Sequence, residues 1–429
     1  MVEHDTLNVG VVGSRPTGTT GTKGHQSLFG CCPFLIIFTV INPEIYTIMN
    51  NFIFHNPTRL IFGKETIASL GTEIPAGKKI LVTFGGGSVK KNGVYEQVIK
   101  ALENFNYIEF WGIEPNPTVE TLRKAISIVK SENIDFILAV GGGSVIDGSK
   151  LIAAAAIIEE DAWDLVRKPS LYKGALPLAT ILTLPATGSE MNRGAVITNL
   201  DLKEKFAFYS AYPLFSILDP QVTFSLPPFQ IACGLTDTFV HVLEQYLTTT
   251  DQSQLMDRWA EGILSTIVEI APRVCSKDLD YNDMATFMLS ATMALNGFIA
   301  MGVTQDWATH MIGHELSALH NLTHGHTLAI VLKGTMWVMR EEKGDKILQM
   351  GRRIWGIEET DKDLAIKMTI ECTDGFFRSL GLKTRLSENN IGADTIDEIV
   401  KRFRDRDVRF GENRSVDADN TRKILEYVL

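Results

Sequence analysis

Between Met49 and about residue 228, continuous apolar, β-prone runs alternate with helical patterns. "KILVTF" precedes "SVKKNGVYEQVIKALENF", "YIEFWGI" precedes "TVETLRKAISIVKSE", and "IDFILAV" precedes "SVIDGSKLIAAAAII". Successive side chains of a strand point to opposite faces of its sheet, so a strand that is apolar throughout must be covered on both sides. Helices returning the chain between such strands supply that cover, and the pattern predicts βαβ units around a parallel sheet. After "LDPQVTFSLPPFQ" the pattern changes. From "IACGLTDTFVHVLEQYLTTT" to the C-terminus amphipathic helical periodicity dominates and strand-like runs are few. Pro227 and Pro228 cannot sit inside a helix or a central strand and suit a boundary. The expected organisation is an α/β domain over residues 49–228 with a parallel sheet, followed by an all-α domain over residues 229–429. A chain of 429 residues can bury two such cores.

Composition narrows the partners. A formal net charge of −10 works against nucleic acid, whose phosphates are met by clustered Lys and Arg. The five cysteines (Cys31, Cys32, Cys233, Cys275 and Cys372) are odd in number and show no CxxC spacing, which suits reduced thiols in a cytoplasmic protein. Residues 1–48 differ from the rest: "GSRPTGTTGTKG" leads into the apolar run "CCPFLIIFTVI". That run is too short to span a bilayer, and Glu3 and Asp5 precede any Lys or Arg, unlike a secretory leader. The segment is expected to be a dispensable extension, disordered or non-native, with Met49 as the true first residue. No membrane association is expected.

Two strands of the first half end in the same tetrad, Gly85-Gly86-Gly87-Ser88 and Gly141-Gly142-Gly143-Ser144, each followed by a helical stretch. Glycines after a strand let the backbone approach a ligand, and the next helix offers free N–H groups and the positive end of its dipole to a phosphate. One such turn could be merely tight; two in one sheet imply a dinucleotide, although neither is a GxGxxG fingerprint. A third loop, "LTLPATGSEMN", places Thr183, Thr187, Ser189 and Asn192 where they could hydrogen-bond a cofactor ring or ribose, though Thr and Ser also serve as ordinary helix caps. No acid follows "KILVTF". A carboxylate there would bind a ribose 2′-OH and repel a 2′-phosphate. Gly86 and Gly87 instead leave room, Ser88 can donate, and Lys90 and Lys91 are near, so NADP(H) is expected over NAD(H). The alternative is a tight turn with solvated lysines.

"THMIGHELSALHNLTHGH", residues 309–326, holds five of the nine histidines. It does not fit the zinc-protease pattern, because no Glu follows His310 directly and Ala318 stands four beyond His314. Asp237 and His241, four apart in a helical pattern, share one face and can reach a common Zn²⁺ or Fe²⁺; the alternative is a solvated face. His310 and His324 would lie about 21 Å apart on one straight helix. They can join that ion only if the chain turns between them, and "HNLTHG" offers a break at Asn321 and Gly325. Asp237, His241, His310 and His324 would then form a site with a position open to a substrate oxygen.

From Met49 to Leu429 the chain resembles the iron-containing alcohol dehydrogenase family, especially its NADP-dependent butanol dehydrogenase and aldehyde reductase branch. The resemblance rests on "NNFIFHNPTRLIFGK", "FGGGSVKKNGV", "IEPNPTVETL", "AVGGGSVIDGSK", "LTLPATGSEMN", "DTFVHVLEQY" and "QDWATHMIGHELSALHNLTHGHTLAIV". It implies that Asp237, His241, His310 and His324 bind one divalent metal ion, Fe²⁺ or Zn²⁺. It implies a phosphate loop at Gly141, Gly142, Gly143 and Ser144 with Asp147 beyond, and a nicotinamide-side loop at Thr183, Thr187 and Asn192. It further implies that His314 is a non-ligand beside the nicotinamide, able to supply a proton, and that the protein is a homodimer. The implied reaction is reversible hydride transfer between NADP(H) and a short-chain alcohol or aldehyde, with the metal as Lewis acid. The 48-residue extension has no counterpart in the family pattern, and His326 stands where the pattern has another polar residue. A dehydroquinate-synthase-like lyase would need Lys and Arg clustered at the site, and "QDWATHMIGHELSALH" has none. A glycerol-dehydrogenase-like polyol oxidoreductase is a further alternative. A metallohydrolase would need no dinucleotide, and a binding protein would show a broken ligand set.

Overall fold

The computed structural model describes residues 48–429; the extension expected over residues 1–48 lies outside them apart from Ile48, as do Cys31 and Cys32. Eight strands occur among the described residues: β1 Arg59–Phe62, β2 Lys79–Phe84, β3 Asn106–Phe110, β4 Phe136–Gly141, β5 Leu178–Leu182, β6 Gly194–Asn199, β7 Glu204–Tyr209 and β8 Phe215–Leu218. Six form one sheet in the order β1-β8-β5-β4-β2-β3, with every pairing parallel. Ile80, Leu81, Val82 and Phe84 of β2 and residues 136–140 of β4 are fully buried, which is what an uninterrupted apolar strand demands. β6 and β7 pair antiparallel as a separate hairpin, an element the alternating pattern did not announce.

The helices among these strands are α1 Leu70–Glu73, α2 Val94–Ala101, α3 Val119–Ser131, α4 Gly143–Ala155 and α5 Ala162–Arg167. α4 is buried along nearly its whole length and packs on both β4 and β6. The two glycine tetrads differ. After β4 the helix starts at once, at Gly143, whereas after β2 a single 3₁₀ turn, Ser88–Lys90, intervenes and α2 begins only at Val94. The first loop therefore lacks the helix N-terminus expected of it.

Beyond Leu218 the described residues form helices and one isolated bridge, Phe410 to Val416. The helices are α6 Pro228–Tyr246, α7 Gln254–Val274, α8 Tyr281–Ala294, α9 Ala308–His320, α10 His324–Val338, α11 Arg340–Ile354, α12 Lys362–Ser379, α13 Ala393–Asp405 and α14 Ala418–Tyr427. The proline pair opens α6, with Pro227 as N-cap and Pro228 at the first helical position, where a missing N–H leaves no bond unmade. α6 is buried on every side from Ile231 to Tyr246 and packs against α7, α8 and α10. No helix among the described residues is long and apolar enough to cross a membrane.

The sheet order places the site. From β2 the chain moves outward to β3, and from β4 it moves the other way to β5, so β2 and β4 flank a topological switch point, where open α/β sheets bind ligands at the strands' carboxyl ends. Phe84 lies opposite Val140, and Gly141 opposite Leu182. The loops after β2, β4 and β5 therefore leave neighbouring points on one edge.

Candidate metal and cofactor site

Asp237 and His241 lie one turn apart on α6, His310 is in the first turn of α9, and His324 is the first residue of α10. One donor atom from each falls within 4.8 Å of all the others. The Nε2 atoms of His324, His241 and His310 stand 3.5, 3.7 and 3.9 Å from Oδ1 of Asp237. These separations are too long for hydrogen bonds. They suit donors sharing one ion, because bonds of 2.0–2.2 Å in a tetrahedral array put neighbouring donors about 3.4 Å apart. Oδ1 of Asp237 and Nε2 of His310 are buried without a hydrogen-bond partner. Buried polar atoms are rarely left so, and a divalent cation satisfies both. Burial lowers the pKa of His241 and His324 well below the usual value, and that of His310 to about 3. The imidazoles thus stay neutral, the form that binds metal. Burial pushes Asp237 the other way, up to about 8, against the attraction of Lys205. A bound cation favours its carboxylate.

Local structure explains how distant residues meet. α9 ends at Asn321, whose φ of 52° and ψ of 32° break the helix, and Thr323 starts the next one. Gly325, expected to contribute to that break, lies inside α10 instead, and its role is closeness: a Cβ there would sit 2.1 Å from the carbonyl oxygen of Cys233 on α6. Only glycine lets the start of α10 press so near to α6, which carries His324 to Asp237. Glu244, two turns after Asp237 on α6, holds the start of α9. Its Oε1 accepts from the Thr309 N–H at 2.6 Å, and its Oε2 accepts from the His310 N–H at 3.2 Å and contacts Nδ1 of His310.

These residues open into a cleft of about 600 Å³ that also reaches the start of α4. Gly143, Ser144, Asp147, Thr187, Asn192, His241, His310, His314 and His324 line it; Gly86, Gly87, Ser88, Gly141, Gly142 and Thr183 do not, and Asp237 is buried behind the histidines. Thr187 reaches the cleft because Gly143 has no side chain: a Cβ there would stand 2.5 Å from Oγ1 of Thr187. Asn192 has no polar atom to spare. Its Oδ1 accepts from Lys150 and Gly194, and its Nδ2 donates to the carbonyls of Gly188 and Leu295. It shapes the loop rather than offering a donor to a cofactor. Asp147 is similarly engaged, accepting from Ser189 Oγ at 2.6 Å and from the Val196 N–H at 2.9 Å, with burial pushing its pKa up. His314 lies one turn after His310, outside the four-donor set, with its ring 5.3 Å from that of His324 and Nε2 lacking a partner. Burial lowers its pKa well below the ordinary value, so it faces the cleft neutral.

Four further residues shape the site although sequence reasoning gave them no role; three of them, Asn116, Lys150 and Trp307, lie inside the quoted motifs. Lys150, fully buried, donates to Ser189 Oγ, Asn192 Oδ1 and the Gly194 carbonyl, and burial lowers its pKa to about 8. Its place one turn beyond Asp147 on α4 could have flagged it. Lys205, on the hairpin, lines the cleft and donates to Asn116 Oδ1 at 2.8 Å; burial lowers its pKa to about 8 as well. Asn116 in turn donates to Asn321 Oδ1 and the Leu322 carbonyl, tying the turn after α9 to the loop after β3. Trp307, the N-cap of α9, has a φ of 67° and ψ of 5°. A left-handed backbone costs a bulky residue about 1–3 kcal/mol, and such strain persists only where neighbours enforce it.

Comparison with known proteins accords with this geometry. A family model described as "Iron-containing alcohol dehydrogenase" matches residues 57–220, and one described as "Fe-containing alcohol dehydrogenase family, C-terminal" matches residues 231–429. The chain is 46% identical over 384 residues to the "NADPH-dependent aldehyde reductase YqhD" of Escherichia coli K12, covering 88% of this chain and 99% of that protein. It is 36% identical over 386 residues to the "NADH-dependent butanol dehydrogenase A" of Clostridium acetobutylicum, covering 88% and 99%. Among solved structures, that of E. coli YqhD matches with a TM-score of 0.88 at 45% identity, covering 89% of this chain and 100% of the other. An NADH-dependent butanol dehydrogenase A from Thermotoga maritima matches with a TM-score of 0.85 at 37% identity, covering 89% and 99%.

Proposed function

The chain belongs to the iron-containing alcohol dehydrogenase family and is a metal-dependent alcohol dehydrogenase or aldehyde reductase; we propose that it moves hydride between NADP(H) and a short-chain aldehyde or alcohol, working as a reductase. The observation that carries this reading is one continuous cleft that joins the three histidines of a four-donor cluster to the phosphate-type turn at the start of α4. Asp237, His241, His310 and His324 hold an Fe²⁺ or Zn²⁺ ion, and Gly141, Gly142, Gly143 and Ser144 receive the cofactor phosphates, with Thr183 and Thr187 beyond them. The ion supplies Lewis acidity to the carbonyl and the nicotinamide supplies the hydride. The protein holds both in one cleft, and burial keeps His314 neutral with an N–H to give to the product oxygen. Residues 49–228 serve as the dinucleotide-binding domain and residues 229–429 as the metal-binding domain.

NADP(H) is favoured because the loop after β2 has no acid and Gly86 faces open space, with nothing within 4 Å of the position a Cβ would take. The relative named as NADPH-dependent is also the more similar of the two compared by sequence, although the other is named as NADH-dependent. We also propose a homodimer in the cytoplasm. Exposed apolar residues Phe52, Ile53 and Phe54 near the start of the described chain support association, and the free thiols of Cys233, Cys275 and Cys372 suit a reducing compartment. The basic side chains lining the cleft are Arg193, stacked on Tyr209, and Lys205, bound to Asn116. That is not the cluster a lyase of the dehydroquinate-synthase type would need. The test is a panel of short aldehydes assayed with NADPH and NADH after metal analysis. Reduction of butanal by metal-loaded protein with NADPH is expected; stoichiometric metal without nicotinamide-dependent turnover of any aldehyde or alcohol would overturn the reading.

A further inference from the structure

We propose that Trp307 sets the substrate range: its indole is the wall against which the carbon chain of the aldehyde lies beside the metal ligands, admitting slim apolar chains and turning away branched or cyclic ones. The proposal rests on the aldehyde-reductase reading of the site. The indole lies edge-on to two ligand rings, with its centroid 5.2 Å from His310 and 6.2 Å from His241. The indole therefore stands beside the donor cluster on the lining of the cleft. Leu295, Ala300 and Met311 line the cleft with it and continue the apolar wall.

The indole cannot simply swing aside. Its Nε1 donates to Gln305 Oε1 at 2.8 Å, which ties the polar edge and leaves carbon to face the cleft. The backbone is clamped on both sides of the left-handed residue. The Asp306 N–H donates to the Glu244 carbonyl at 2.8 Å, the Ala308 N–H donates to Asp306 Oδ1 at 3.0 Å, and the Trp307 carbonyl accepts from the Met311 N–H at 3.1 Å. Glycine would adopt this φ freely, yet the chain places its largest side chain there. Two nearby amides have their NH₂ groups committed within the protein: Gln245 donates to the His241 and Ala294 carbonyls, and Asn296 to Met293 Sδ.

The test compares wild-type, Trp307→Phe and Trp307→Gly holoenzymes, with metal per chain and the KM for NADPH measured for each. The readout is kcat/KM for butanal and for cyclohexanecarbaldehyde. Removing the wall should raise the ratio of cyclohexanecarbaldehyde to butanal at least tenfold in Trp307→Gly, with metal content and the KM for NADPH unchanged. Trp307→Phe, which keeps an aromatic ring, should fall between, and its ratio decides the matter if the glycine variant does not fold. Equal falls for both aldehydes, leaving the ratio as in wild type, would overturn the assignment of Trp307 while sparing the reaction. A metal-loaded wild type that turns over neither aldehyde would overturn the reaction itself, and the assignment with it.

Discussion

Replacing Glu244 by Gln should weaken metal binding although Glu244 is not in the donor set. Its carboxylate contacts Nδ1 of His310 and accepts the Thr309 and His310 N–H groups. Burial raises the Glu244 pKa to about 8, and a bound cation at His310 favours its carboxylate, which keeps the imidazole proton on Nδ1 and leaves the Nε2 lone pair for the ion. Glutamine has nearly the same shape, but its NH₂ group is a donor. Facing Nδ1, it favours the tautomer protonated on Nε2, which cannot bind metal; turned away, it leaves a backbone N–H facing a donor. Loss of such a partner typically lowers metal affinity 10–100-fold, about 1.4–2.7 kcal/mol. The metal-free fold should lose about 1–3 kcal/mol if one buried N–H goes unpaired. Competition with a chromophoric chelator gives the dissociation constant, and thermal unfolding of the metal-free protein gives the second quantity. A dissociation constant within twofold of wild type, alongside a His310→Ala variant that has lost its metal, would refute the argument.

Substituting His310 or His324 by Ala should abolish bound metal and turnover together, as measured by elemental analysis and aldehyde reduction; full activity in metal-free variant protein would contradict the ligand set. His314→Ala should retain stoichiometric metal and lower kcat or shift its pH profile, whereas loss of metal would show it to be a ligand. Gly86→Asp should move preference towards NADH, read as kcat/KM with each cofactor, because the position has open space and needs no left-handed backbone; unchanged preference would refute the role given to the loop after β2. Metal affinity should fall at least about tenfold per pH unit below pH 8. Burial raises Asp237, and Glu244 in contact with His310, to about 8 without an ion, so binding releases at least one proton there, while the neutral histidines release none. A titration showing constant affinity from pH 6 to 8 would exclude that coupling.

Local pattern alone determined much of the architecture. The apolar runs "KILVTF" and "IDFILAV" announced doubly covered strands, since period and burial are properties of a few consecutive residues. The spacing of Asp237 and His241 placed two donors on one helical face for the same reason. Their union with His310 and His324 is permitted by the spacing without following from it. It depends on Asn321 breaking the helix and on Gly325 admitting α10 against the Cys233 carbonyl, a contact between segments far apart in the chain. The helix expected directly after the first glycine tetrad was misplaced because 3₁₀ and helical starts share the same local residues. Tertiary structure alone decided the β6–β7 hairpin's approach to the cleft, the Lys205–Asn116 link, the hold of Glu244 on His310 and the strained turn of Trp307. It also decided the charge states: Asp237 raised and His310 lowered are effects of desolvation, which no side chain experiences until the chain around it has packed.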